Sequence, residues 1–195
     1  RHTVPGATDA GTTDDTLTLQ GNDDLTGGDT KDIDLSVAGI NNLTIQGLDQ
    51  DDSTASGGDG YNIKLSNEQA LDSFDISGNR AVTIDNTLGM NFGDGLSGLN
   101  EIDASDLTGN LTVDLDGSNF SGGEGVTVQG GAGADTITGS QFGDNIGTGE
   151  GDDIVIYDGA SFGAADNLID FDDSGDDSFR IDLTSTMTTT GGGNA

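Results

Sequence analysis

The feature that most constrains how this chain can fold is a nine-residue stretch in which glycines and one aspartate precede a short apolar segment. Residues 130–138 read Gly-Gly-Ala-Gly-Ala-Asp-Thr-Ile-Thr. They match the glycine-rich nonapeptide G-G-x-G-x-D-x-U-x, in which U is a large apolar residue, at every defined position. The phase continues on both sides, because apolar residues recur nine apart at Val128, Ile137, Ile146 and Val155.

Aspartates follow the same nine-residue phase. Asp135, Asp144 and Asp153 occupy the aspartate position of three successive repeats, whereas the preceding repeat, 121–129, has Val126 there. Six residues make a turn and three make a short strand, so two nonapeptides complete one coil of a flattened β-roll. Turns two repeats apart then stack on one edge. This spacing predicts that Asp135 and Asp153 lie together around one ion and that Asp144 lies on the opposite edge.

The composition indicates that bound cations complete the fold. The 195 residues include 36 acidic and 5 basic side chains, a formal net charge of −31, and only 31% hydrophobic residues. Such a chain normally stays disordered, yet its apolar residues recur in short alternating runs. Ca²⁺ takes six to eight oxygens from carboxylates and backbone carbonyls, and its binding adds to the free energy of folding. The oxygen donors that we predict for several calcium ions in the nonapeptide turns are Gly130, Ala132, Gly133, Asp135, Gly139, Gln141, Asp144, Thr148, Glu150, Gly151 and Asp153.

Longer repeats upstream predict the rest of the fold. Residues 71–77 align with 99–105 at an offset of 28, and 82–85 align with 111–114 at an offset of 29. Residues 40–45 match the opening of the same unit 31 residues earlier. One such coil can bury its apolar face only by stacking on others. We therefore expect an all-β parallel β-helix or β-roll solenoid stabilised by calcium, with chance similarity in a biased composition as the alternative.

The nonapeptide block resembles the repeats-in-toxin (RTX) family of calcium-binding proteins, which bacteria export by type I secretion. Residues 170–183, with an Asp-Phe start, an acidic glycine turn and an Ile-Asp-Leu end, look like the segment that commonly follows such blocks. The resemblance implies a strand pair that caps the roll, with Asp170, Asp172 and Asp176 as further ligands. A solvated acidic hairpin is the other interpretation.

An N-terminal segment carries a weaker version of the same pattern. Asp23 and Asp32 are nine residues apart and flank a Gly-Gly pair. Because this combination is typical of the nonapeptide turns, we expect a calcium turn here; an ordinary acidic loop fits equally well.

The upstream units, 40–45, 71–85 and 99–113, resemble the Thr/Ser/Asp-rich strand repeats of bacterial surface-layer and related matrix proteins. That resemblance implies a structural building block that self-associates in a calcium-dependent array or fibre. We expect three regions: a surface-layer-like solenoid over 1–120, an RTX β-roll with capping strands over 121–183, and a flexible tail over 184–195.

Charge and residue types exclude several classes of function. An acidic chain offers no basic face to nucleic acid and is repelled by anionic membranes. No stretch approaches the roughly 20 apolar residues of a membrane span. The chain has no Cys, and His2 is its one histidine, so thiolate sites, typical zinc centres and histidine-dependent triads are ruled out. Carboxylates in glycine-rich turns fit calcium better than a glycosidase pair, and we expect no enzyme activity.

Two functions remain in competition. In the first, the chain is a secreted or cell-surface bacterial structural subunit that assembles with itself when calcium binds, with cell-surface polysaccharide as a further partner. In the second, it is the C-terminal calcium-folding and export module of a larger RTX exoenzyme or adhesin. The second is allowed by the first residue, which is Arg1 rather than Met. Ligand binding along a flat threonine-bearing face is a minor third possibility, because Thr-x-Thr pairs are few.

Overall fold

The computed structural model describes residues 16–20, 30–36, 40–48, 60–66, 71–85, 100–115, 125–140, 142–157, 166–170 and 175–181. Within these ranges the regular structure consists of fourteen β-strands. In chain order they are β1 (Thr16–Gln20), β2 (Thr30–Ser36), β3 (Asn42–Leu48), β4 (Gly60–Ser66), β5 (Ser73–Gly78), β6 (Ala81–Asp85), β7 (Glu101–Leu107), β8 (Leu111–Asp114), β9 (Thr127–Gln129), β10 (Thr136–Thr138), β11 (Asn145–Gly147), β12 (Ile154–Tyr157), β13 (Asn167–Leu168) and β14 (Ser178–Ile181).

The strands alternate between two sheets. The odd-numbered strands form a seven-stranded sheet in the order β1-β3-β5-β7-β9-β11-β13, and the even-numbered strands form a second in the order β2-β4-β6-β8-β10-β12-β14. We call these the odd sheet and the even sheet. Neighbouring strands pair in parallel throughout the described ranges, so each odd–even pair of strands forms one coil that stacks on the coil before it. The parallel β-solenoid predicted from the sequence is confirmed.

Alternate residues of the interior strands β3 to β12 face the space between the sheets. In β5, Phe74 and Ile76 are buried and the residues between them are partly exposed. In-register pairing stacks such residues into two columns that run through all seven coils. The odd apolar column is Leu17, Leu43, Phe74, Ile102, Val128, Ile146 and Leu168, and the even apolar column is Ile33, Ile63, Ile84, Val113, Ile137, Val155 and Phe179. The four apolar slots predicted in the nonapeptides belong to these columns and are fully buried.

The pairing registers reproduce the repeat offsets found in the sequence. Ser73 pairs with Glu101, 28 residues further on. Val82 pairs with Leu111, 29 residues further on, and Asn42 pairs with Ser73 at 31. In the nonapeptide region the offset shortens to 18, so two repeats per coil are confirmed. Both sheets continue across residue 120, because β7 pairs with β9 and β8 pairs with β10.

The N-terminal part departs from expectation at Asp32. This residue lies inside β2 rather than in a turn, whereas the rest of the predicted calcium turn, residues 21–29, lies outside the described residues. The alternation Asp-Ile-Asp-Leu over residues 32–35 is a strand pattern, which the upstream Gly-Gly pair obscured. Asp32 is exposed, accepts a hydrogen bond from Asn62 Nδ2 (3.0 Å) and lies 3.5 Å from Lys64 Nζ. The Asn62 hydrogen bond and the Lys64 charge lower the pKa of the Asp32 carboxyl.

At the C-terminal end, β14 lies in the segment predicted to cap the roll, and it pairs in parallel with β12. The predicted tail, 184–195, and Asp23 lie outside the described residues. None of the residues that the structure describes forms a helix long and apolar enough to cross a membrane.

Candidate functional site

The three phased aspartates stand at the starts of strands, with their side chains inside the turns. Asp135 precedes β10, Asp144 precedes β11 and Asp153 precedes β12, and each is only 1% exposed. Because β10 and β12 are neighbours in the even sheet and β11 belongs to the odd sheet, Asp135 and Asp153 share one edge and Asp144 lies on the other. The predicted stacking of turn 130–135 on turn 148–153 is confirmed by the pairing of the strands that follow them.

Aspartates along the even edge link one coil to the next through backbone N–H groups. Asp135 Oδ1 accepts a hydrogen bond from Leu111 N (2.7 Å). Asp153 Oδ1 accepts one from Asp135 N (2.7 Å), and Asp177 Oδ1 accepts one from Asp153 N (3.1 Å). We call Asp135, Asp153 and Asp177 the even-edge ladder. Each carboxylate satisfies a strand-start N–H of the preceding coil, and charge-assisted bonds of this kind are stronger than neutral ones.

A second set of aspartates does the same on the odd edge. Asp144 Oδ1 accepts a hydrogen bond from Val126 N (2.8 Å), and Asp166 Oδ1 accepts one from Asp144 N (2.8 Å). Asp144 is also held within its own turn by Ser140, whose N–H lies 2.6 Å from Oδ2 and whose hydroxyl lies 2.9 Å from Oδ1. We call Asp144 and Asp166 the odd-edge ladder. Val126 can replace aspartate at the start of this ladder because only its N–H is needed there.

Glycines permit the turns to stack this closely. A Cβ on Gly130 would collide with the Thr148 carbonyl and lie 2.6 Å from Asp135 Oδ2. Gly151 has φ of +134°, a conformation that L-residues rarely adopt, and a Cβ there would collide with the Gly133 carbonyl. The nonapeptide glycines are therefore required by the contact between successive coils.

Burial dominates the electrostatics of the ladders. It raises the pKa of the Asp135 carboxyl from 3.8 to about 6, against the lowering effect of the Leu111 and Gly131 N–H groups. Burial likewise raises the pKa of Asp144 and of Asp153, and the hydrogen bonds from backbone N–H groups again oppose the rise. Neighbouring carboxylates add to these shifts, because each ladder brings like charges together.

Several buried oxygens at the last turns have no hydrogen-bond partner. Five buried side-chain N or O atoms are unsatisfied within the described ranges, and three of them are Thr148 Oγ1, Asp153 Oδ2 and Asp166 Oδ2. Thr148 and Asp153 are each 1% exposed. The Thr148 side chain lowers the pKa of the Asp153 carboxyl and the charge of Asp170 raises it, so both side chains lie beside that carboxyl. Unsatisfied buried carboxylate and hydroxyl oxygens are costly and often mark the place of a water or an ion.

The other predicted donors are distributed around these turns. Asp170 Oδ1 accepts a hydrogen bond from Thr148 N (2.6 Å), which places Asp170 in the same turn stack as Asp153. Among these donors, Ala132, Glu150 and Asp176 are exposed. Their N–H groups donate to Leu107 O (2.9 Å), Gly131 O (2.8 Å) and Asp152 Oδ1 (2.9 Å) respectively. A Cβ on Gly139 would lie 3.0 Å from Asp144 Oδ2 and 3.5 Å from Asp166 Oδ2. Gln141 and Asp172 lie outside the described residues.

Sequence reasoning missed the ladder members Asp166 and Asp177, and it missed Ser140, which holds Asp144 within its own turn. Asp166 follows Asp144 by 22 residues and Asp177 follows Asp153 by 24, whereas Asp153 follows Asp135 by 18. The nine-residue phase therefore does not reach the last coil. A signal was present, because each of the two aspartates stands directly before a short strand.

A groove on the outer face of the odd sheet lies apart from the ladders. It has a volume of about 220 Å³ and crosses β3, β5 and β7, with Thr44, Asp75, Asp103 and Asp106 among its lining residues. It coincides with shifts of pairing register in β3–β5 and β5–β7, where irregular pairing bends the strands. Thr44 Oγ1 donates to Asp75 Oδ2 (3.2 Å) across the groove. Its polar lining distinguishes it from the buried turns.

The side chains in the described ranges include no group of three or more His, Cys, Asp or Glu arranged to hold a metal ion. The sites predicted from the sequence use two carboxylates with backbone carbonyls, which is fewer than the three side chains that such a group requires. Comparison of the chain with protein-family models, with curated proteins and with solved structures finds no match.

Proposed function

We propose that this chain is a calcium-binding structural subunit, secreted or held at a cell surface, that assembles with itself when calcium binds. The observation that carries the proposal is the burial of three carboxylates, Asp135, Asp144 and Asp153, in a chain of net charge −31. Buried charges in proteins are paired with opposite charge or bound to metal ions. Among the described residues, the partners of these carboxylates are N–H and O–H groups. A divalent cation supplies the positive charge that these partners do not carry.

The donor chemistry favours calcium among the divalent ions. The turns offer carboxylate, hydroxyl and carbonyl oxygens, and the chain has no Cys and one His. Hard oxygen donors suit Ca²⁺ and Mg²⁺ rather than zinc or copper. Glycine-rich turns supply many carbonyls at irregular angles, which suits the loose geometry of Ca²⁺ better than the octahedral demand of Mg²⁺.

The unsatisfied oxygens identify the turn that we assign as the first ion site. Asp153 Oδ2 and Thr148 Oγ1 are buried without hydrogen-bond partners, and Asp170 stands in the same stack through its bond to Thr148 N. An ion there would satisfy both orphaned oxygens and offset repulsion between the two carboxylates. Asp135 and, on the odd edge, Asp144 with Asp166 provide the further sites.

A structural role fits the way these side chains are used. The ladder carboxylates hold one coil against the next through backbone N–H groups, so occupancy by an ion changes the stability of the stack. Calcium bound at acidic surfaces also permits two highly negative copies to approach, since repulsion between them is otherwise strong. The proposal therefore joins ion binding, folding and assembly in one process.

A calcium titration of chelator-stripped protein tests the proposal, with circular dichroism for β-structure and light scattering for particle size. We expect both signals to rise together at millimolar calcium. The double variant Asp135→Asn/Asp153→Asn should lose the calcium response, whereas Asp106→Asn, at an exposed position on β7 outside the ladders, should keep it. A wild-type chain whose β-structure and size ignore calcium would refute the proposal. A chain that folds with calcium but stays monomeric would refute its assembly part alone.

A further inference from the structure

We propose that the last coil of one copy, β13 and β14, docks on the first coil of a second copy, β1 and β2, so that copies join head to tail and both sheets continue across the junction. This inference rests on the self-association in the proposed function, and it names the surfaces and the register through which that association occurs.

Among the described strands, both ends of the solenoid present open sheet edges. Within the described strands, β1 and β2 each pair on one side only, and so do β13 and β14. An open edge exposes a row of N–H and C=O groups that can pair with another strand. Because all pairing is parallel, the two ends are different surfaces, and the edge left by β13 and β14 has the polarity that β1 and β2 require.

Apolar side chains at the C-terminal end continue the buried apolar columns but are themselves exposed. Phe179 ends the even apolar column and is 48% exposed, whereas Val155, one coil earlier, is fully buried. Ile181 is 50% exposed. A straight continuation of the columns places Phe179 against Ile33 and Ile181 against Leu35 of the next copy. In the odd sheet it places Leu168 at the register position next to Leu17.

The charges that face outward support the same register. Arg180 pairs with Ile156 on the outer face of the even sheet, and Asp34 occupies the same column at the other end, through Lys64. Both Arg180 and Asp34 are exposed. Straight stacking therefore sets one of the five basic residues of this acidic chain beside an aspartate of the next copy. Opposite charges in neighbouring strands stabilise pairing, and like charges destabilise it.

A pairing register shifted by two residues between β14 and β2 would lose this agreement of charge and apolar contact. It would still bring Arg180 near an aspartate, Asp32, but that carboxylate already bonds Asn62 and Lys64 of its own copy. It would also place Ile181 at Ile33 and Phe179 at the register position of Lys31, so only one of the two apolar contacts would remain. In the straight register both Phe179 and Ile181 meet apolar residues, and Arg180 meets Asp34, which is not already bonded to Asn62 as Asp32 is.

The product of this contact is a filament. A head-to-tail contact uses two different surfaces and, without a closing rotation, adds copies without limit. Seven coils at about 4.8 Å per strand give an axial repeat of about 34 Å per copy. The strands lie across the filament axis, so fibre diffraction should show the strand spacing along that axis.

A charge exchange between the two ends tests the junction. In Arg180→Asp each copy carries acid at both ends, and in Asp34→Arg each copy carries base at both ends, so either variant alone should assemble at least tenfold more slowly at millimolar calcium. Mixed in equal amounts, the variants restore opposite charges at every junction, and filaments should reappear at close to the wild-type rate. The control Asp106→Arg makes the same charge change as Asp34→Arg at an exposed site on an interior strand, and should assemble like wild type. Circular dichroism at each calcium concentration verifies that every variant folds.

The outcomes separate this inference from the function on which it rests. Loss in each variant with recovery in the mixture supports the head-to-tail junction. If both variants form particles as wild type does, calcium assembly stands but the junction is refuted. Closed dimers of wild type also refute it, because they indicate a symmetric contact. A wild-type chain that remains monomeric at millimolar calcium removes the inference together with the assembly part of the proposed function.

Discussion

Raising the pH in the absence of calcium should destabilise the folded chain through Asp135. Burial raises the pKa of this carboxyl from 3.8 to about 6, and the charge of Asp153 adds to the rise, against the N–H groups of Leu111 and Gly131. The folded state therefore binds the Asp135 proton more tightly than the unfolded state does. The stability contributed by this proton is complete below pH 3.8 and is lost as the pH rises through about 6.

The size of the effect follows from the shift. One pKa unit corresponds to about 1.4 kcal/mol, so a rise from 3.8 to about 6 corresponds to about 3 kcal/mol in the free energy of unfolding. Of this, about 1.4 kcal/mol is lost between roughly pH 5 and pH 7. The pKa values of Asp144 and Asp153 are raised as well, so the contribution of Asp135 must be obtained as a difference between two proteins.

Urea unfolding in chelator, followed by circular dichroism across that interval, provides the difference. The free energy of wild type minus that of Asp135→Asn should fall by about 1.4 kcal/mol from pH 5 to pH 7, while Asp106→Asn should run parallel to wild type. With saturating calcium this free-energy difference should instead rise with pH, because protons then compete with the ion for the carboxylate. A difference that stays constant in chelator would show that the Asp135 carboxyl is not desolvated, and would refute the reasoning from burial.

Three further substitutions test other parts of the structure. Thr148→Val removes a buried hydroxyl whose polar neighbour is the Asp153 carboxyl, so it should change calcium-free stability by no more than about 1 kcal/mol while weakening the calcium response in a titration. Gly151→Ala places a Cβ at φ of +134° against the Gly133 carbonyl, and should destabilise the chain by about 2 kcal/mol or more in urea unfolding. Phe74→Ala empties a fully buried position in the odd apolar column and should cost about 3–5 kcal/mol in the same assay; a smaller loss would indicate that the coils close around the cavity.

The sequence predicted the coil register because the information was local and repeated. An offset of 18 between nonapeptides fixes the pairing of Thr136 with Ile154, and the offsets of 28, 29 and 31 fix the upstream pairs. Alternation and periodic spacing are properties of the chain itself, so they can be read without coordinates. The strand β2 was not predicted because Asp32 was assigned to a calcium turn on the strength of the upstream Gly-Gly pair, which outweighed the alternation of residues 32–35.

The chemistry of the ladders could be predicted only in part. The nine-residue phase located Asp135, Asp144 and Asp153, but it gave no indication that each carboxylate would accept an N–H from the preceding coil. That contact depends on how far one coil is displaced from the next, which is a tertiary property. Asp166 and Asp177 escaped for a related reason, since their turns are longer and the spacing that identifies a repeat is lost where the loop length changes.

The two occupants proposed for the ladder carboxylates have opposite requirements, and this explains how an acidic chain could respond to its surroundings. A proton lowers the cost of burying Asp135 but removes the charge that would hold calcium. Calcium would need that charge and, once bound, would add more stability than the proton does. Without calcium at neutral pH, the Asp135 carboxylate is buried in its charged form, and neither a proton nor an ion offsets the cost of that burial. The carboxylates that join coil to coil are therefore also the groups through which calcium would govern folding. The edges of the last coil would reach the geometry proposed for docking only when that coil is formed.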